Sequence, residues 1–196
     1  MRHRHRGTRR RRRRTRLLTR PLIQSHLKAW QGTAYRHLPQ GPLDPLDFSR
    51  AGLARDNRWN IQGEPTLYLA RHKHVALAEM ARHITEDRSP VLAQQVKRRQ
   101  VYRFDLAFHA TLDLTHPEVL AVLSITDAPQ CFIDKSVARA TAEFVRKLTP
   151  AEAIFVPSLA FLDRPENWVL VVFLEKLSAN PGFISSVTPD GSFSIE

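Results

Sequence analysis

The chain has 196 residues, 42% of them hydrophobic and 25% charged, values that suit one soluble globular domain with a tail. No apolar run approaches the roughly 20 residues of a membrane-spanning helix, and a single cysteine, Cys131, excludes an internal disulfide framework. The formal charge of +11 points to polyanions, yet residues 1–20 hold eleven arginines and no acid, which leaves 19 basic against 19 acidic residues in 21–196. Arginines without an apolar h-region do not make a secretory signal, so a cytoplasmic location is expected.

In chain order, residues 1–20 predict a disordered, self-repelling tail. It reads either as an arm that binds nucleic acid by counterion release or as an inert extension. Residues 21–196 read as one domain. Leu22, Ile23, Leu27 and Trp30 give Pro21 to Trp30 a helical spacing, and Thr33 to Leu38 reads as a short strand. Pro39 to Asn57 is loop-like, broken by Pro39, Gly41, Pro42, Pro45 and Gly52. Thr66 to Ala70 is a strand with Tyr68 opposite Leu67 and Leu69. Lys73 to Ile84 is a helix whose apolar stripe is Leu77, Met80, Ala81 and Ile84, with Glu79 off it.

Arg88 to Arg99 is ambiguous and is assigned a short helix. Val101 to Leu106 alternates as a strand burying Tyr102, Phe104 and Leu106; Leu112 to Leu114 and Val119 to Leu123 read as short strands or turns. Lys135 to Leu148 is the clearest helix, with Val137, Ala140, Thr141, Phe144, Val145 and Leu148 on its apolar side and Asp134 as N-cap. Ala153 to Val156 and Trp168 to Leu174 are apolar and rich in β-branched residues, as central strands are, and Gly182 to Ser186 closes the chain as a short strand. The order predicts an α+β fold with helices packed on a mixed or antiparallel sheet core.

Familiar sites are missing. No GxxxxGK[ST] and no GxGxxG occurs. His72 and His74 read as solvated loop positions rather than metal ligands, and Ser158 lacks a nucleophile elbow. Arg58, Tyr68 and Glu79 are different, because they put a cation, an aromatic ring and a carboxylate about ten residues apart on three successive elements. Each alone suits a surface or half-buried position. Together they suit one chemistry. A guanidinium grips a pyrophosphate, an aromatic ring stacks on a planar heterocycle, and a carboxylate beside an anomeric carbon stabilises an oxocarbenium-like transition state. NAD carries all three features.

The same residues carry a family resemblance. Ala34-Tyr35-Arg36, Gly52, Arg58-Trp59-Asn60 with Gly63 and Pro65, Leu67-Tyr68-Leu69-Ala70, Ala76-Leu77-Ala78-Glu79 and, later, Val156-Pro157-Ser158 together resemble the RES domain family. These are toxins of toxin–antitoxin pairs with an ADP-ribosyltransferase-like fold. The resemblance implies cleavage of nicotinamide from NAD, with water or phosphate as acceptor, or transfer of ADP-ribose to a protein in some members. It implies that Arg58, Tyr68, Glu79 and Ser158 form the active site. Arg36 joins Arg58, Tyr68 and Ser158 in holding NAD, and Ser158 orients either the substrate or Glu79. It implies no true cofactor and no metal, NAD as substrate, and a small DNA-binding, Xre-like antitoxin that blocks the cleft. Asp56-Asn57 before Arg58, and Asn167 nine residues after Ser158, depart from the family pattern. A basic nucleic-acid-binding protein working through residues 1–20 is the rival reading.

Overall fold

The two apolar runs near the C-terminus become adjacent central strands. In the computed structural model, which describes residues 21–55, 57–87 and 98–194, the strands are β1 (Lys28–Pro39), β2 (Thr66–Ala70), β3 (Arg98–Asp113), β4 (Ala153–Pro157), β5 (Trp168–Phe173) and β6 (Ile184–Ser194). The helices are α1 (Lys73–Asp87), α2 (Pro117–Val122) and α3 (Lys135–Leu148). The strand order is β1-β2-β5-β4-β3-β6, with a further β1–β3 pairing. All neighbours are antiparallel except β3 and β4, so the expected α+β fold is realised on a mixed sheet.

Every residue of β4 is buried, which explains why its sequence is apolar throughout rather than alternating. Ile154, Val156, Val171 and Phe173 face a core built with Phe132, Ala138, Ala142 and Val145 of the α3 side. Ala153, Phe155, Leu170 and Val172 face the opposite core, with Leu67 and Leu69 of β2 and Phe104, Leu106 and Phe108 of β3. The long β3 connects these layers. Most of its length pairs with β1, and only Thr111 to Asp113 reach β4. β1 and β2 pair at one position alone, Tyr35 with Ala70, so the sheet is split there.

α3 spans the expected residues. Its N-cap, Asp134, accepts a hydrogen bond from Ser136 N at 2.7 Å. Asp134→Ala should cost about 1 kcal/mol and lower the melting midpoint by roughly 2–4 °C, measurable by calorimetry. The helix buries Ala138, Thr141, Ala142, Val145 and Arg146, while Ala140 is exposed. Arg146 is the unexpected member. Its Nη2 donates to Thr66 Oγ1 at 2.6 Å, its Nη1 lies 3.2 Å from Glu175, and its guanidinium stacks 4.4 Å from the Phe173 ring. Cation–π contact and a partly desolvated ion pair let an arginine replace an apolar residue on the inner face.

Several sequence expectations need correction. The helix expected over Pro21 to Trp30 is a single turn at 21–24, and Trp30 already lies in β1. Trp30 packs against Phe108, Phe155 and Trp168, so sheet contacts override the local periodicity. Leu112 to Leu114 are not a separate strand, since β3 runs unbroken to Asp113. Tyr102 is half-buried rather than buried. Pro117 opens a short helix where a strand or turn was expected for Val119 to Leu123, as proline suits the first helical turn. The last strand is longer than Gly182 to Ser186 because β3 offers it a full edge. The expected tail over 1–20, and most of the ambiguous Arg88 to Arg99 stretch, lie outside the described residues.

Candidate active site

The split between β1 and β2 opens into a cavity of about 420 Å³. Residues of both strands, the 57–59 loop, α1 and Arg99 line it. Arg36, Arg58, Tyr68 and Glu79 all face it, and Ser158 sits behind its wall, fully buried. The fold thus brings the five sequence-selected residues together.

Arg58 and Tyr68 depend on the long loop between β1 and β2. Gly52, at φ +81°, accepts a hydrogen bond from Gly63 N at 2.9 Å and closes the segment carrying Arg58. A Cβ at Gly52 would lie 2.5 Å from the Glu64 carbonyl oxygen, so both backbone conformation and space demand glycine. Arg58 Nη1 donates to the carbonyls of Phe132 and Ile133 at 3.0 and 2.6 Å. Arg139 Nε donates to the Asn57 carbonyl at 2.8 Å. These contacts clamp the loop to the turn before α3 and to α3 itself. Trp59, 3% exposed, packs against Phe132 with centroids 4.9 Å apart and ring planes tilted by 60°, and roots the loop in the core.

The Tyr68 hydroxyl donates to Asn60 Oδ1 at 2.7 Å and accepts from Trp59 N at 3.1 Å. Asn60, 1% exposed, donates its own amide to the carbonyls of Ile61 and Glu64 at 2.9 and 3.4 Å. Burial pushes the Tyr68 phenol well above its ordinary range, so it stays protonated and its ring is fixed against the cavity. Asn60 is therefore a positioning residue that the sequence reading quoted in its motif without assigning a role.

Glu79 lies on the inner side of α1. The helix buries Val75, Ala76 and Met80, and Glu79 falls on that same face. The expected stripe of Leu77, Met80, Ala81 and Ile84 is thus rotated: Ala81 is exposed, while Met80 and Ile84 reach the cavity. Small Ala76 lets the helix lie close to Ala70 and Phe161, which aims Glu79 inward. Glu79 Oε1 accepts from Ser158 Oγ at 2.6 Å and from Ala160 N at 3.1 Å, and its Oε2 meets Arg82 Nε at 3.4 Å. Ser158 is held in turn, its N donating to the Asn167 carbonyl at 2.9 Å. Ser158 thus contacts Glu79, and one carboxylate oxygen is fixed from behind while the residue faces the cavity.

Among the described residues lining the cavity, Glu79 is the sole carboxylate, against Arg36, Arg58, Arg82, Arg99 and Lys135. Such a balance favours an anionic ligand. His37 and Arg99 also belong to this wall and carried no role in the sequence reading. His37 Nδ1 receives Arg99 Nε at 3.1 Å and Nη2 at 2.8 Å. Burial, then Arg99, lower the His37 pKa to about 4, with a smaller effect of Arg36 and an opposing backbone hydrogen bond at Ala76. The unfolded imidazole takes up its proton near pH 6.5, so folding stability is highest above that pH and falls as pH drops towards 4. Melting midpoints should decline over this window, and His37→Gln, which retains an acceptor without titrating, should flatten the decline. His72 and His74 stack on each other at 5.3 Å on the exposed start of α1, and no group of three or more metal-ligating side chains occurs among the described residues.

A family model described as the RES domain matches residues 30–193. The chain belongs to the RES domain family. Among solved structures, this RES protein is similar to a chain of the M. tuberculosis MbcT–MbcA toxin–antitoxin complex, with 19% sequence identity over 92% of each chain and a TM-score of 0.68. That likeness is one of fold. No curated protein sequence matches the chain. Among the described residues, no helix of this RES protein is long and apolar enough to cross a membrane.

Proposed function

We propose that this RES protein is the toxin of a toxin–antitoxin pair and consumes NAD by breaking the nicotinamide–ribose bond. The observation that carries the reading is Glu79, clamped by Ser158 and Ala160 N in a cavity whose other charged lining residues, among those described, are cationic and which carries Tyr68 on its wall. The diphosphate of NAD matches the arginines, and the nicotinamide ring matches the Tyr68 face. As the bond from C1′ to the pyridinium nitrogen breaks, its electron pair leaves with nicotinamide, which departs neutral and needs no general acid. Positive charge then develops on the ribose, and Glu79 stabilises it. Water or inorganic phosphate adds to C1′ and releases a proton, giving ADP-ribose or its 1″-phosphate. Arg58, Tyr68, Glu79 and Ser158 are the proposed active-site residues; Arg36 binds substrate.

The partner we propose is a small DNA-binding antitoxin, Xre-like, that covers the cavity; the toxin–antitoxin assembly of the structural neighbour supports it. The test is chromatography of NAD after incubation with purified protein, with and without phosphate. Nicotinamide should appear in proportion to NAD lost. Unchanged NAD under both conditions sinks the reading. Transfer of ADP-ribose to protein would appear in the same experiment as nicotinamide release without free ADP-ribose. The eleven arginines in residues 1–20 support a separate property of the chain, salt-sensitive affinity for nucleic acid.

A further inference from the structure

We infer that Arg99, oriented by His37, completes with Arg36 a two-guanidinium subsite that grips the diphosphate of the substrate. This rests on the reading of the cavity as an NAD site, and it adds two residues that neither the motif nor the resemblance selects.

The geometry comes from the register of β1 and β3. Pro39 lies opposite Arg99, and His37 opposite Val101, so His37 and Arg99 are diagonal neighbours on one face. Arg99 commits Nε and Nη2 to His37, while its Nη1 enters no hydrogen bond among the described residues. Arg36 commits Nη1 to the Pro45 carbonyl at 3.3 Å and lies 5.7 Å over the Phe48 ring. Among the described residues neither guanidinium forms an ion pair with a carboxylate, although both line the cavity. The acids that bear on them are Asp47, an exposed neighbour of Arg36, and Glu79, which Ser158, Ala160 N and Arg82 already engage.

Two half-buried cations that line one cavity, with no carboxylate in ion-pair contact among the described residues, are unfavourable. Burial first, and Arg36 second, lower the Arg99 pKa to about 10, and burial lowers Arg36 as well. A doubly charged ligand spanning both relieves this cost. Arg36, opposite Tyr102 in the same register, lies on the other face of β1 from His37 and shares with Arg99 the lining of one cavity, where the N–H donors of two guanidiniums match two linked phosphoryl groups better than one carboxylate. Arg58, by contrast, has Nη1 on two backbone carbonyls and lies nearer the turn before α3. His37 is a positioning residue: it must stay unprotonated at Nδ1 to accept both Arg99 donors.

Titration calorimetry of the full chain with inorganic pyrophosphate, alongside NAD kinetics, tests the assignment. Arg99→Met should weaken pyrophosphate binding by about 10- to 100-fold, the loss expected for charge-assisted hydrogen bonds. It should raise KM for NAD by a similar factor with kcat within about threefold, because this subsite is remote from the bond that breaks. Arg99→Lys should fall between, since a point charge lacks the fork. The arginine-rich segment is common to all variants, so its own anion affinity cancels in the comparison. Unchanged pyrophosphate affinity and unchanged KM in Arg99→Met overturn the inference. If Arg99→Met does not fold, Arg99→Lys decides: wild-type pyrophosphate affinity in a variant with a wild-type melting midpoint overturns it, and weaker affinity supports it. A wild-type protein that leaves NAD intact, but loses pyrophosphate affinity on Arg99→Met, refutes the proposed reaction and keeps the subsite.

Discussion

Glu79→Gln should lower the rate of nicotinamide release by roughly 10³-fold, with KM for NAD little changed. The substitution keeps the shape of the side chain. Its carbonyl oxygen can still accept from Ser158 Oγ and Ala160 N, which hold Oε1 at 2.6 and 3.1 Å, so the loop after β4 should stay in place. What disappears is the negative charge opposite the developing ribose cation. Removing one preorganised electrostatic partner of a transition state typically costs about 10²–10³ in kcat, and here the carboxylate is the only one in the described cavity lining. Ser158→Ala should be milder, about tenfold, because Ala160 N still anchors Glu79 while the carboxylate gains freedom to rotate. The pair acts as a unit, so Glu79→Gln with Ser158→Ala should be no slower than Glu79→Gln alone. Turnover by Glu79→Gln within tenfold of wild type would remove Glu79 from the mechanism.

The largest expected effect on stability is at Phe132, which has no exposed surface and lies under the site rather than in it. Its ring packs against Trp59 with centroids 4.9 Å apart and belongs to the core shared by α3 and the central strands. Its carbonyl accepts from Arg58. Phe132→Ala should cost about 3–5 kcal/mol through lost burial and the remaining cavity. The melting midpoint should fall by roughly 10 °C for a domain of this size. Ile133, next in sequence, is 56% exposed, so Ile133→Ala should change stability by less than about 0.5 kcal/mol. Since Trp59 loses its support, Phe132→Ala should also raise KM at temperatures where the protein remains folded. Equal melting midpoints for the two variants would contradict the described packing of the loop on the core.

The resemblance stated on short motifs holds at the level of family and fold. Arg36, Arg58, Tyr68, Glu79 and Ser158 were legible because each sits in a distinctive local string, and the structure gathers them at one cavity. The roles of the loop partners were not legible. Asn60 supports Tyr68 through a hydrogen bond eight residues apart in sequence, whereas Arg99 reaches His37 across 62 residues. Such a pairing is set by the register of β1 on β3, which leaves no periodic mark in either strand.

By itself the sequence determined the apolar central strands, the amphipathic α3 with its Asp134 cap, and the concentration of excess charge in residues 1–20. Those features follow from local composition and period. Only the tertiary structure decided which face of α1 points inward, that Arg146 is buried, and that the sheet splits between β1 and β2. The physical reason is common to all three. Side-chain period limits which residues share a face, but the packing of Phe161 on the cluster holding Ala76, the Phe173 ring under Arg146 and the single Tyr35–Ala70 pairing are contacts between distant segments.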